Sequence, residues 1–211
     1  MTNALDTLWS AVRTGEFEDD GWITLSAASW RAEDIWLSLE LEPGNGTPRQ
    51  HWQVLCEQAR AHRLHGETVH DVAVHEDHVL LLPHQQLQAN LYFTSPAPNP
   101  AAVAGELWAA HRRCTRDWFP AERFLNSALP LIDLLAASSG LLAEGPVGIL
   151  SEYEGVLGRH SIAWSQVRER APKRWNGGSW VAESEGLKVL TMGPSFVVAE
   201  SFTATRPDAV V

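Results

Sequence analysis

The sequence predicts an α+β fold, in which an antiparallel β meander in the N-terminal half packs against a layer of about three helices and is closed by a C-terminal β-hairpin. Three observations lead there. Runs that alternate apolar and polar residues succeed one another between residues 22 and 93 with no helical period between them, which favours hairpins over strand-helix-strand units. From Ser95 to Pro100 three prolines mark the sharpest change in composition, and a 3.6-residue spacing of apolar positions follows. Alternation resumes beyond Ile162, so the order is sheet, helices, sheet.

Ala4, Leu5, Leu8, Trp9 and Val12 recur with helical spacing behind Thr2 and Asn3, predicting a short amphipathic helix that ends near Gly15. In the loop that follows, Glu16, Glu18, Asp19 and Asp20 lack the alternating ligands and central glycine of a calcium loop and read as a solvated acidic turn. Ile35, Leu37, Leu39 and Leu41 alternate with Asp34, Trp36, Ser38 and Glu40, the pattern of a strand with one buried face. Its partner is Trp22 to Trp30, joined through a short turn over Arg31 to Glu33. Beyond the turn formers of Pro43 to Pro48, further short strands are expected at Trp52 to Cys56, Val69 to Val74, Val79 to Leu82 and Leu87 to Phe93.

Asn99 and Pro100 stand as cap and first residue of a helix whose stripe is Val103, Leu107, Ala110, Cys114 and Trp118. A second helix is expected from Ser127 to Leu142 and a third from Pro146 to Leu157, with Ile149, Leu150, Tyr153, Val156 and Leu157 inward. Ile162 to Val167 returns to strand, and Leu187 to Met192 with Phe196 to Ala204 form the closing hairpin over Gly193 and Pro194. Residues 1–205 are expected as one domain, with helix and meander over 1–95, the helical layer over 96–160, closing strands over 161–205 and a frayed tail over 206–211.

Composition restricts the function classes. A formal charge of -10 repels phosphate backbones and anionic lipid, so nucleic acid and membrane surfaces are not expected partners. No stretch approaches the roughly 20 apolar residues of a membrane helix, and the N-terminus lacks the basic start and apolar run of a signal peptide, so a cytoplasmic location is expected. Fourteen arginines against two lysines fit the codon usage of a GC-rich bacterium. Cys56 and Cys114 form no knuckle or redox pair and are expected to be reduced and packed. Ten tryptophans against two tyrosines are unusual, and most are expected in the core because tryptophan is highly buried on average.

Seven of the nine histidines fall between His51 and His84. The tightest group, His70, His75, Asp77 and His78, is the candidate metal site, with His75 to His78 as the turn of a hairpin and Glu76 as an alternative to Asp77. Imidazole and carboxylate within one turn hold zinc or another divalent ion, and a bound water would then supply hydroxide for hydrolysis. No other cofactor is expected. Solvated polar residues of a meander account for the same histidines without a ligand, and no His-Glu-x-x-His spacing is present. His111 is expected to be packed, and His160 to offset a helix dipole after Gly158.

Arg168, Arg170, Lys173 and Arg174 lie in seven residues beside Trp164, Trp175 and Trp180, which reads as a charged loop or as a contact for an acidic ligand with aromatic stacking. Trp36, the four cations, Trp175 and Trp180 form the candidate set for partner or ligand contact. The phosphate-binding loop, Gly-x-Gly-x-x-Gly, Gly-x-Ser-x-Gly and Cys-x-x-Cys signatures are all absent. The expectation is therefore an acidic interaction protein, inhibitor-like or immunity-like or a complex subunit, that binds a protein partner of basic charge or its own copy. The alternative is a metal-dependent hydrolase or small-ligand binder built on the His70 to His78 hairpin.

Overall fold

The computed structural model describes residues 21–44 and 48–206; the expected opening helix, the acidic stretch from Glu16 to Asp20 and the tail beyond Arg206 lie outside the described residues. The architecture is α+β, with antiparallel sheets and a C-terminal hairpin. The chain divides into two compact units, residues 1–78 with 186–211 and residues 79–185.

The first unit holds β1 (Trp22–Arg31), β2 (Asp34–Glu42), β3 (Gln50–Glu57), β4 (Ala61–Arg63), β5 (Thr68–Val69) and β6 (Val72–His75), then β12 (Lys188–Met192), β13 (Ser195–Ala199) and β14 (Ser201–Thr205). One sheet has the order β14-β3-β2-β1-β5 and the other β4-β13-β12-β6. Three chain segments run through both sheets: β3 into β4, β5 into β6, and β13 into β14. The six paired segments therefore close on themselves as an antiparallel barrel, in which β1 meets β5 only at Ile23 and Thr24. Alternation sets its inside. Ile35, Leu37 and Leu39 are buried and stand opposite Cys56, Val54 and Trp52, and Leu190, Met192, Val197 and Phe202 join the same core.

Two hairpin turns carry left-handed backbone. Gly193, between the paired Met192 and Ser195, has φ 51°, and a Cβ there would lie 2.6 Å from Val69 Cγ1, so this turn requires glycine. Ala32, in the turn between the paired Arg31 and Asp34, has φ 54° without glycine's freedom.

The second unit leaves the barrel after β6 and returns before β12, two strands that pair with Val189 opposite His75. It contains a 3-10 turn (Val79–Leu81), α1 (Leu82–Gln85), β7 (Gln88–Phe93), α2 (Pro100–Thr115), α3 (Leu131–Ala136), β8 (Gly140–Pro146), α4 (Val147–Arg159), β9 (Trp164–Arg170), β10 (Lys173–Trp175) and β11 (Trp180–Ala182). Its sheet has the order β8-β7-β9, and β10 pairs with β11. Ala89, Leu91 and Phe93 of β7 pack with Val103 and Leu107 of α2 and with Ile149, Leu150 and Tyr153 of α4. As the sequence predicts, Asn99 caps α2, its Oδ1 accepting from Ala102 N at 3.2 Å. Arg116 and Asp117, both at positive φ, end the helix, and Asp117 accepts from Arg112 at 2.7 and 3.0 Å.

Several elements differ from expectation. The helix expected over Ser127 to Leu142 is only α3, because Pro130 restricts its start and Leu141 to Ala143 pair with β7 instead. Val79 to Leu82 is helical rather than a strand, since Pro83 has no amide proton for a ladder and fits the first turn of α1. His75 to His78 is therefore not a hairpin turn but the exit from the barrel. The charged stretch from Arg168 to Trp180 is the end of β9 and a β-hairpin, not a loop. Among the described residues no helix is long and apolar enough to cross a membrane.

Two substitutions test the barrel. Ala32→Gly removes a left-handed alanine, worth about 1–2 kcal/mol, against about 0.5–1 kcal/mol of added unfolded-chain entropy. Urea denaturation should show it stabilised by about 0.5 kcal/mol, and a loss would refute the turn geometry. Leu37→Ala should cost about 2–5 kcal/mol.

Candidate partner-binding surface

The histidine group is dispersed by the barrel's own geometry. His70 Nδ1 lies 2.8 Å from Gly21 O, and His75 Nε2 lies 2.9 Å from Thr191 Oγ1 on the neighbouring β12. Glu76 pairs with Lys188 at 2.6 Å, which holds its carboxyl below the usual carboxylate range, and Asp77 is exposed. Only the His75 and His78 rings come together, with centroids 5.1 Å apart. Among the described residues no three histidine, cysteine or acidic side chains are grouped so as to hold a metal ion. Two other histidines have local neighbours, His62 packing on Trp30 at 5.7 Å and His84 bonding Glu183 at 3.1 Å.

His111 is 2% exposed and structural. Its Nε2 lies 2.8 Å from Phe119 O, which can only accept, so this nitrogen carries the proton. In the neutral ring Nδ1 then accepts from the Tyr153 hydroxyl at 2.7 Å, fastening α4 to α2. Burial pushes the Tyr153 hydroxyl's pKa up, which keeps the donor protonated. His160 follows α4 and bonds Glu106 of α2 at 2.8 Å. Burial pushes Cys56 up to about 12, and burial followed by the Glu152 charge pushes Cys114 up to about 11. Both thiols are thus held protonated, the opposite of an activated nucleophile.

The tryptophans depart furthest from expectation. Of the nine described, six are exposed: Trp22, Trp30, Trp108, Trp164, Trp175 and Trp180. Trp52 is buried, and Trp36 is half-buried on the barrel's outer face, where it lines a polar depression of about 250 Å³ with Arg31 and Gln53. The densest group lies on β9 to β11. Trp175 and Trp180 are directly opposite each other in register, 53% and 66% exposed, with rings edge to face at 5.8 Å. The turn between them is held by Asn176, whose Oδ1 accepts from Gly178 N at 3.1 Å and Ser179 N at 2.9 Å. Trp164 and Val167 are exposed on β9 of the same unit.

The four cations on these strands have different surroundings. Arg168 sits at φ 60° in a bulge where it and Glu169 face Ala89 alone, between the pairs Gln88–Arg170 and Asn90–Val167. Arg170 pairs with Glu144 across the sheet. Lys173 is exposed and Arg174 half-buried, and Glu169, Glu183 and Glu185 accompany the four cations. What distinguishes the surface is aromatic area rather than charge.

Sequence reasoning missed a second apolar face. Trp108, Leu129 and Ile132 are exposed on α2, the loop before α3, and α3 itself. Pro130 was the available signal, because it restricts the start of the helix expected from Ser127. Comparison of the chain with protein-family models, with curated proteins and with solved structures returned no match in any of the three.

Two measurements test the buried groups. Tyr153→Phe leaves His111 Nδ1 buried without its donor and should cost about 1–3 kcal/mol by urea denaturation; a neutral change would refute the bond. Because the folded pKa of Cys56 is raised, its contribution to stability is fully present below the ordinary value of 9.0 and is lost as pH rises from there through about 12. Iodoacetamide near pH 8 should accordingly label Cys56 only after unfolding, and rapid labelling of the folded chain would contradict its burial.

Proposed function

We propose that this protein acts by binding a protein partner, as inhibitors and complex subunits do, and that the β9 to β11 face is a principal contact. The observation that carries the reading is the exposed cross-strand pair Trp175 and Trp180 on a hairpin whose turn is already ordered. Tryptophan is the residue type most enriched where interfaces concentrate their binding energy, because a large rigid ring buries much area at little entropic cost. The hairpin fits that role better than a core role, since both tryptophans remain more than half exposed. The net charge of -10 favours a partner of opposite sign, accelerating encounter and rejecting acidic competitors.

The test compares capture from native lysate by the wild-type chain and by the double variant Trp175→Ala, Trp180→Ala. The wild type should retain a basic partner in an equimolar, salt-sensitive complex. The variant should bind it about a hundredfold more weakly while melting at the same temperature, since the rings support no core. Recovery of monomer alone would refute partner binding, and an undiminished complex in the variant would move the contact elsewhere.

A further inference from the structure

A cavity of about 430 Å³ opens on the second unit between α2 and the chain from Ala121 to Leu131. Its floor is apolar and fixed: Ala121 and Leu125 are buried, and Leu125 bridges to Ala143 of β8. Asn126 anchors the far wall. Its backbone N donates to Leu142 O at 2.8 Å, its Nδ2 to Leu141 O at 2.8 Å, and its Oδ1 accepts from Ala128 N at 2.9 Å. The rim is Trp108, 51% exposed, and Leu129, 56% exposed. Glu122 is the single charged residue among the described residues that line it.

We infer that this cleft docks a segment of the partner that carries apolar anchor side chains flanked by lysine or arginine. The inference rests on the partner-binding reading for its biological setting, but its chemistry stands on the cleft alone. The volume lies in the range of formed binding pockets, and the floor is a preordered apolar surface with few polar groups. A ligand that fills it removes Trp108 and Leu129 from water together, the combination of aromatic and aliphatic area on which interface cores are built. The charge selects the flanks. Glu122 meets no cation in the lining, so a cation from outside gains an ion pair there while an anion is repelled. A second copy of this chain is the poorer occupant, since two bodies each of charge -10 repel.

The probe is a dye-labelled, amidated leucine–lysine amphipathic peptide of about four helical turns, read by fluorescence anisotropy on the full chain. Two controls are its leucine–glutamate and alanine–lysine counterparts. The leucine–lysine peptide should bind, and both controls should bind at least about tenfold more weakly. Glu122→Lys and Leu129→Glu, both exposed positions whose variants should melt as the wild type does, should each weaken the leucine–lysine peptide by about tenfold or more. Trp175→Ala, Trp180→Ala should leave it unchanged, which separates this cleft from the hairpin contact. Absence of binding, equal binding of either control, or binding that survives both cleft variants would overturn the proposal. Self-association abolished by Leu129→Glu would overturn it in favour of a second copy.

Discussion

The ladder between β6 and β12 is the constraint on which both units depend. It closes the ring of six paired segments, and it pairs the strand that precedes residues 79–185 with the strand that follows them. An open sheet of this length would expose two rows of unpaired amides; closure pairs part of them, β1 meeting β5 at Ile23 and Thr24. Closure also requires strands that bend, and three do so where β3 becomes β4, β5 becomes β6 and β13 becomes β14. Once the ring is closed, its interior is filled by a period-two pattern. That is why Leu37 and Leu39 find Val54 and Trp52 opposite, and why Cys56 is buried and its thiol held protonated.

Strand β2, its hairpin with β1, the capped helix α2 and the closing hairpin over Gly193 were all legible, because each is specified by a local pattern or by a turn residue with a steric reason. What was not legible depends on competition between distant segments. Leu141 to Ala143 have helical neighbours in sequence, yet they complete a sheet with β7, and Leu91 opposite Ala143 decides the matter. The exit at Asp77 and His78 carries no proline, glycine or composition change, so the inserted unit has no mark at its boundary. The tryptophans misled for a related reason. Average burial describes a residue type, whereas exposure of Trp175 and Trp180 follows from a two-stranded hairpin, which has too few neighbours to cover a ring on either strand.

Density along the chain is also not convergence in space. Ligands for one ion must converge on one point in space, and the histidines between His51 and His84 are distributed over β3, β4, β6, α1 and the connections between them. His62 pairs in register with Val197 and His75 with Val189, on opposite sides of the β12 and β13 hairpin. The barrel therefore separates what the sequence places close together. It gives most of these rings a local partner instead: Gly21 O, Thr191, Trp30 or Glu183.

The two exposed apolar faces of the second unit share a physical property that bears on binding more than their area does. Each is mounted on backbone held by an asparagine side chain, Asn176 in the hairpin turn and Asn126 in the loop beside the cleft. Ordering a loop at an interface costs about 0.5–1.5 kcal/mol for each side chain immobilised. An aromatic ring on a preordered hairpin avoids part of that loss, so more of its burial remains as affinity. The turn and loop backbone of the two faces is bonded locally by Asn176 and Asn126, so presenting these side chains to a partner requires no reordering of that backbone.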